Sequence, residues 1–173
     1  MKAPFISGVT AVLLAVAFLL FFGVIFLPPV HQTNTSSEVT QANSDVHLIA
    51  LAVRAFEAEY GFLPGTNTSA VSGDLLAALM GNKETLNPGG VVFLEVRPKR
   101  KGRSGLQDGV FLDPWGGPYQ IALANGSLNR VWGGTNRTEI PKRVAVWSDP
   151  ELNRKGWLWR ISNTPPPSVT SWE

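Results

Sequence analysis

The chain has 173 residues, of which 44% are hydrophobic and 16% charged, a formal net charge of +2, and no cysteine. About 140 residues follow the apolar N-terminal stretch, enough for one domain with a single core. The small charge sets nucleic acid aside as the main partner, and the missing cysteines exclude a disulfide-stapled scaffold.

An uncharged apolar run begins at Phe5 and ends at Leu27, just before Pro28-Pro29. As a helix, its 23 residues would cover roughly 35 Å, enough for a hydrocarbon core of about 30 Å. The run is too long for the apolar part of a cleaved signal and lacks a small-x-small site after it. Leu, Val, Ile and Phe surround its whole circumference, which disfavours a half-buried core helix. We therefore expect residues 1–30 to form a transmembrane anchor in contact with membrane lipid. Lys2 and the terminal amine precede it, so the positive-inside bias puts the N-terminus in the cytoplasm and the body across the membrane.

Residues 31–37 read as a polar linker. A helix is expected next, with Thr35 and Glu38 as a capping box and Gly61 and Pro64 as the stop. Val39, Val46, Ile49, Val53, Phe56 and Tyr60 recur at spacings of three, four and seven and make one apolar stripe, with Gln41, Asp45, Arg54, Glu57 and Glu59 mostly away from it. A short helix over 73–80 follows, with Ser72 as N-cap. Beyond Gly81 the signals change to strands over 91–97, 119–124, 128–132, 143–148 and 157–161, with Asn125-Gly126 as a hairpin turn. The tail over 163–173 carries three consecutive prolines and is expected to be extended, outside any helix or central strand. A helical half followed by strands predicts an α+β fold: an N-terminal transmembrane helix, then an amphipathic helix packed on a small antiparallel β-sheet.

Three pieces stand in a suggestive order. Ala55-Phe56-Glu57-Ala58-Glu59-Tyr60-Gly61-Phe62-Leu63-Pro64 ends the long helix. Asp113-Pro114-Trp115-Gly116-Gly117-Pro118-Tyr119 opens a strand. Val144-Ala145-Val146-Trp147-Ser148 and Thr170-Ser171-Trp172 come late. Together they resemble the major pseudopilin of type II secretion systems and its pilin-like relatives over residues 38–172. The resemblance implies a periplasmic domain on an inner-membrane helix, working as a subunit or accessory of a secretion or type IV pilus-like apparatus beside other pseudopilins. It also implies a processing point, with Gly8 as the cleavage glycine and Val9 as the new terminus. The position that carries Glu in that family is Leu13 here. A binding module that keeps the pilin fold, stays anchored and has no filament role is the other reading.

The same resemblance brings a calcium loop into view. Asp149 and Glu151 are its acidic residues here, with Arg154 and Lys155 close by, whereas calcium takes six to eight oxygens with several carboxylates. No cofactor is therefore expected. Lys99, Arg100, Lys101 and Arg103 form a basic loop that reads as solvated, with anionic lipid or nucleic-acid phosphate as its functional alternative. Trp115 reads as a cap on the sheet edge, with a partner contact as the alternative. No nucleophile elbow, zinc-binding His pair, phosphate loop or dinucleotide glycine pattern occurs, and no catalytic residue is expected.

Overall fold

The computed structural model describes residues 30–65, 67–124, 126, 128–134, 137–149 and 168–172. The chain divides into two units, residues 1–34 and 35–173. Among the described residues lie two helices, α1 (Val30–Tyr60) and α2 (Gly73–Leu79). The strands are β1 (Asn67–Ala70), β2 (Gly105–Gln107), β3 (Val110–Leu112), β4 (Gln120–Leu123), β5 (Val131–Gly133), β6 (Thr138–Ile140), β7 (Val144–Ser148) and β8 (Val169–Thr170).

The expected transmembrane architecture is corrected. No helix among the described residues is long and apolar enough to cross a membrane. The run from Phe5 to Leu27, on which that expectation rested, lies outside the described residues. The linker expected over 31–37 is helical, because α1 already begins at Val30. Pro28-Pro29 stands immediately before its first turn, where proline costs no helical hydrogen bond. Thr, Asn and Ser lower helix propensity by only tenths of a kcal/mol each, too little to stop the helix there.

The amphipathic pattern expected of α1 is also weaker than the spacing promised. Val46, Ile49, Val53 and Phe56 are fully buried, yet Leu48 and Leu51 stand 53% and 63% exposed on the opposite face. Gln41 and Asp45, expected on the outer side, are half-buried. The helix thus carries apolar residues outward and polar residues inward.

A four-stranded antiparallel sheet in the order β1-β4-β7-β8 forms the centre, with β2–β3 and β5–β6 as separate two-stranded ribbons. Strand alternation sorts its two faces. Ile121, Leu123, Val144 and Val146 join the α1 and α2 residues in one core, while Ala122, Ala124, Ala145 and Trp147 pack with Val131 and Ile140 in another. The alanines leave room for the β5–β6 ribbon. Gly133 is the point of closest approach, since a Cβ there would lie 2.9 Å from Ile140 and 3.1 Å from Trp147. β7 is buried along its whole length.

Several expected elements are redrawn. Residues 91–97 form no strand, despite their Val, Phe and Leu content. Instead, the Phe93 and Leu94 amides donate to the Leu79 carbonyl at 2.9 and 3.0 Å, closing the C-terminal end of α2. Asn87 holds that loop in place. Its amide donates to the Ala78 and Val91 carbonyls at 2.8 and 2.7 Å, and its Oδ1 accepts from Tyr60 Oη at 2.6 Å and the Val91 amide at 3.0 Å. Gly81 is forced by the same arrangement, with φ of +78° and the Gly90 carbonyl oxygen 2.7 Å from where a Cβ would sit. The hairpin expected around Asn125-Gly126 does not pair β4 with the next strand. β4 pairs with β1 and β7, and β5 pairs with β6. The strand expected over 157–161 lies outside the described residues. Of the tail, Val169–Thr170 adds to the edge of the sheet beside β7.

Candidate functional site

The polar residues of α1 converge with the Asp113–Tyr119 turn and the basic loop. Glu38, Gln41 and Asp45 are three and four residues apart, so they share one row of the helix. Tyr119, fully buried at the mouth of β4, donates its hydroxyl to Asp45 Oδ2 at 2.8 Å. Gln41 Nε2 donates to Ser104 Oγ at 2.7 Å. Burial pushes the Asp45 carboxyl up, held back by the Ser104 and Tyr119 hydroxyls. Burial, with the Asp45 charge second, pushes the Tyr119 phenol far up, so it stays a donor. The row therefore works as a polar seam inside an otherwise apolar contact, and every hydroxyl in it has a partner.

Asp113 is the second node. It is fully buried, and its carboxylate accepts from Ser148 Oγ at 2.6 Å and from the Gly117 amide at 2.8 Å. Its own backbone amide donates to the Gly117 carbonyl at 2.7 Å, which closes the turn, and Gly116 takes φ of +95°. Burial pushes the Asp113 carboxyl up, opposed first by Ser148 and then by the turn amides. The Asp-Pro-Trp-Gly turn thus fastens β7, through Ser148, to the start of β4.

Lys99 turns inward. Its ammonium donates to the carbonyls of Arg103, Arg100 and Pro114, so it ties the basic loop to the turn. Burial lowers its pKa, and the nearby Asp113 and Glu38 charges raise it back in part. Burial likewise pushes the Glu38 carboxyl up, held back by the Trp115 indole and the Lys99 ammonium. Trp115 is half-buried and packs against the main core. Lys99 and Trp115, two of the five residues expected as candidate partner contacts, therefore have structural work in this seam.

Arg100, Lys101 and Arg103 are exposed. Arg100 and Arg103 line a pocket of about 190 Å³ together with Gln41, Arg97, Pro98 and Ser104. Lys101 is not among its walls. The loop is fixed by backbone bonds: the Lys99 amide to the Leu106 carbonyl at 2.9 Å, the Leu106 amide to the Arg97 carbonyl at 2.7 Å, and the Arg103 amide to the Arg100 carbonyl at 3.1 Å. Gly105 is required for this closure, because a Cβ there would sit 2.6 Å from the Lys99 backbone. Sequence reasoning missed Arg97, Gln41 and Ser104. The regular Arg97-x-x-Arg100-x-x-Arg103 spacing and the 38/41/45 helix row were the signals that could have found them.

The remaining sequence-derived candidates are scattered. Gly8, Val9 and Glu151 lie outside the described residues. Asp149 is buried at the end of β7. No group of three or more His, Cys, Asp or Glu able to hold a metal occurs among the described residues, and the expected calcium loop beyond Asp149 lies outside them. Compared with known proteins, the chain matches no family model, no curated protein and no solved structure.

Proposed function

We propose that the chain is a structural, non-catalytic subunit or accessory of a type II secretion or type IV pilus-like apparatus in the bacterial cell envelope. One observation carries this reading. The long helix α1 docks one face on the sheet and leaves Leu48 and Leu51 on the other face in water. A helix that packs on its own body on one side and on neighbouring subunits on the other needs that division. The order of elements supports the same reading: a long helix ending at Tyr60-Gly61, then the Asp113–Tyr119 turn leading into an antiparallel sheet.

The test exploits the absence of cysteine. Leu48→Cys and Leu51→Cys, introduced singly into the full chain, place one thiol on the exposed helix face. Cross-linking in the native cells should join each variant to another copy or to a second envelope subunit. An exposed control such as Trp132→Cys on the β5–β6 ribbon should give less. Monomeric variants throughout would sink the proposal.

One residue favours a second reading, a binding module with the same fold and no filament role. Leu13 stands where the resembled family carries a glutamate, and leucine offers no charge to pair with a neighbour's terminal amine.

A further inference from the structure

The pocket between α1 and the basic loop has no part in subunit packing through the outer helix face. Its walls include three arginines, spaced every third position along the loop. Among the described residues, no carboxylate lies within ion-pair distance of Arg97, Arg100 or Arg103. Glu38, an acidic neighbour of the loop, interacts with Lys99 and Trp115. Like charges gathered on one loop repel one another, a cost that an anion would relieve.

The pocket is also held open before any ligand arrives. Lys99 ties the loop carbonyls from beneath, and the Arg97 and Arg100 carbonyls each accept a backbone amide. Gln41 bonds Ser104 across the floor and so fastens the loop to α1. A fixed backbone lowers the ordering cost of binding. Guanidinium groups present paired N–H donors that match the oxygens of a tetrahedral phosphate, and several of them around one site suit a dianion better than a single carboxylate.

We propose that this pocket binds a phosphate-class oxyanion, either free or as the headgroup of an anionic phospholipid, through Arg97, Arg100 and Arg103. The site does not depend on the subunit reading, because its residues and the outer face of α1 are different. Lys101 is exposed on the same loop but outside the pocket, which separates a built site from a diffuse positive patch.

The experiment titrates the full-length protein with inorganic phosphate by calorimetry, in parallel with vesicles of phosphatidylcholine alone or with phosphatidylglycerol. Saturable phosphate binding is expected. The Arg100→Gln/Arg103→Gln double variant should weaken it by at least about tenfold, and Lys101→Gln should change it by less than about twofold. Circular dichroism should show both variants folded, since all three side chains are exposed. Vesicle binding that free phosphate displaces would identify the lipid headgroup as the source. Phosphate binding without vesicle binding would identify a soluble phosphate ligand. No saturable phosphate binding, an equal loss in Lys101→Gln, or vesicle binding that survives the double variant would overturn the proposal.

Discussion

Asn87 and Asp113 are both fully buried and both fasten a loop to the core, but they do so with different chemistry. Asn87 is neutral. Its two N–H groups and its carbonyl oxygen reach four partners, so its hydrogen-bonding capacity is filled from within the fold. Asp113 can only accept when ionised, and it sits among Ser148, the turn amides, Lys99 and Glu38. The neutral anchor is indifferent to pH. The acidic anchor links the turn, the basic loop and the foot of α1 to a proton. One part of the molecule is therefore fixed and the other can respond to its surroundings.

The largest effect should come from the neutral anchor. Asn87→Ala strips partners from the Tyr60 hydroxyl, the Ala78 carbonyl and both backbone groups of Val91, and should cost about 3 kcal/mol in urea unfolding. The loss should be the same at pH 5 and pH 8, and a pH-dependent loss would break the contrast between the two anchors. Gly105→Ala should cost about 2 kcal/mol, because its Cβ meets Lys99 backbone rather than a side chain that can yield. It should also disturb the arginine pocket, while Gly109→Ala, with open space around its Cβ, should leave that pocket intact despite its own strain at φ of +76°.

The acidic anchor gives a signed prediction. The Asp113 carboxyl is raised from the ordinary value of 3.8, so the folded state binds its proton more tightly than the unfolded chain does. Stability from this group is fully present below pH 3.8 and is lost as pH rises through the folded value. Asp45 and Glu38 are raised as well and contribute with the same sign. Asp113→Asn should change stability at pH 7 by no more than about 1 kcal/mol, since the amide keeps an acceptor for Gly117 and a donor for Ser148. It should lower the dependence of stability on pH by at most about 1.4 kcal/mol per unit over that window. An unchanged pH slope would show that Asp113 is not the responsive anchor. The smallest effect belongs to Glu57→Gln, which removes the 2.9 Å pair with Arg143 just before β7 and should cost under about 1 kcal/mol, less in high salt.

What the sequence revealed follows the range of the forces involved. Val46, Ile49, Val53 and Phe56 were legible because helical periodicity is local, and all four are buried. The strand over 143–148 was legible because a run of Val, Ala and Trp has few other uses. Residues 91–97 were misread because their β-rich composition is overridden by Asn87 and by the exposed carbonyl end of α2. The pairing of β4 was misread because Asn125-Gly126 is a local turn signal, whereas the contacts that win come from β1 and β7. Asp45 was put on the outer face because periodicity counts polarity and cannot foresee that Tyr119, 74 positions away, offers a hydroxyl. Of the candidate site, the basic loop was visible. The inward turn of Lys99 and the enlistment of Arg97 were not, because both depend on how the loop closes over Gly105.

The central claim, that this chain is a subunit of a pilin-like apparatus, is tested most directly at its N-terminus. The measurement is the intact mass and N-terminal peptide of the protein purified from its native cells. The account predicts a chain cut after Gly8 that begins with N-methylated Val9. A mature protein that still carries residues 2–8 would contradict it and leave the binding module as the reading to pursue.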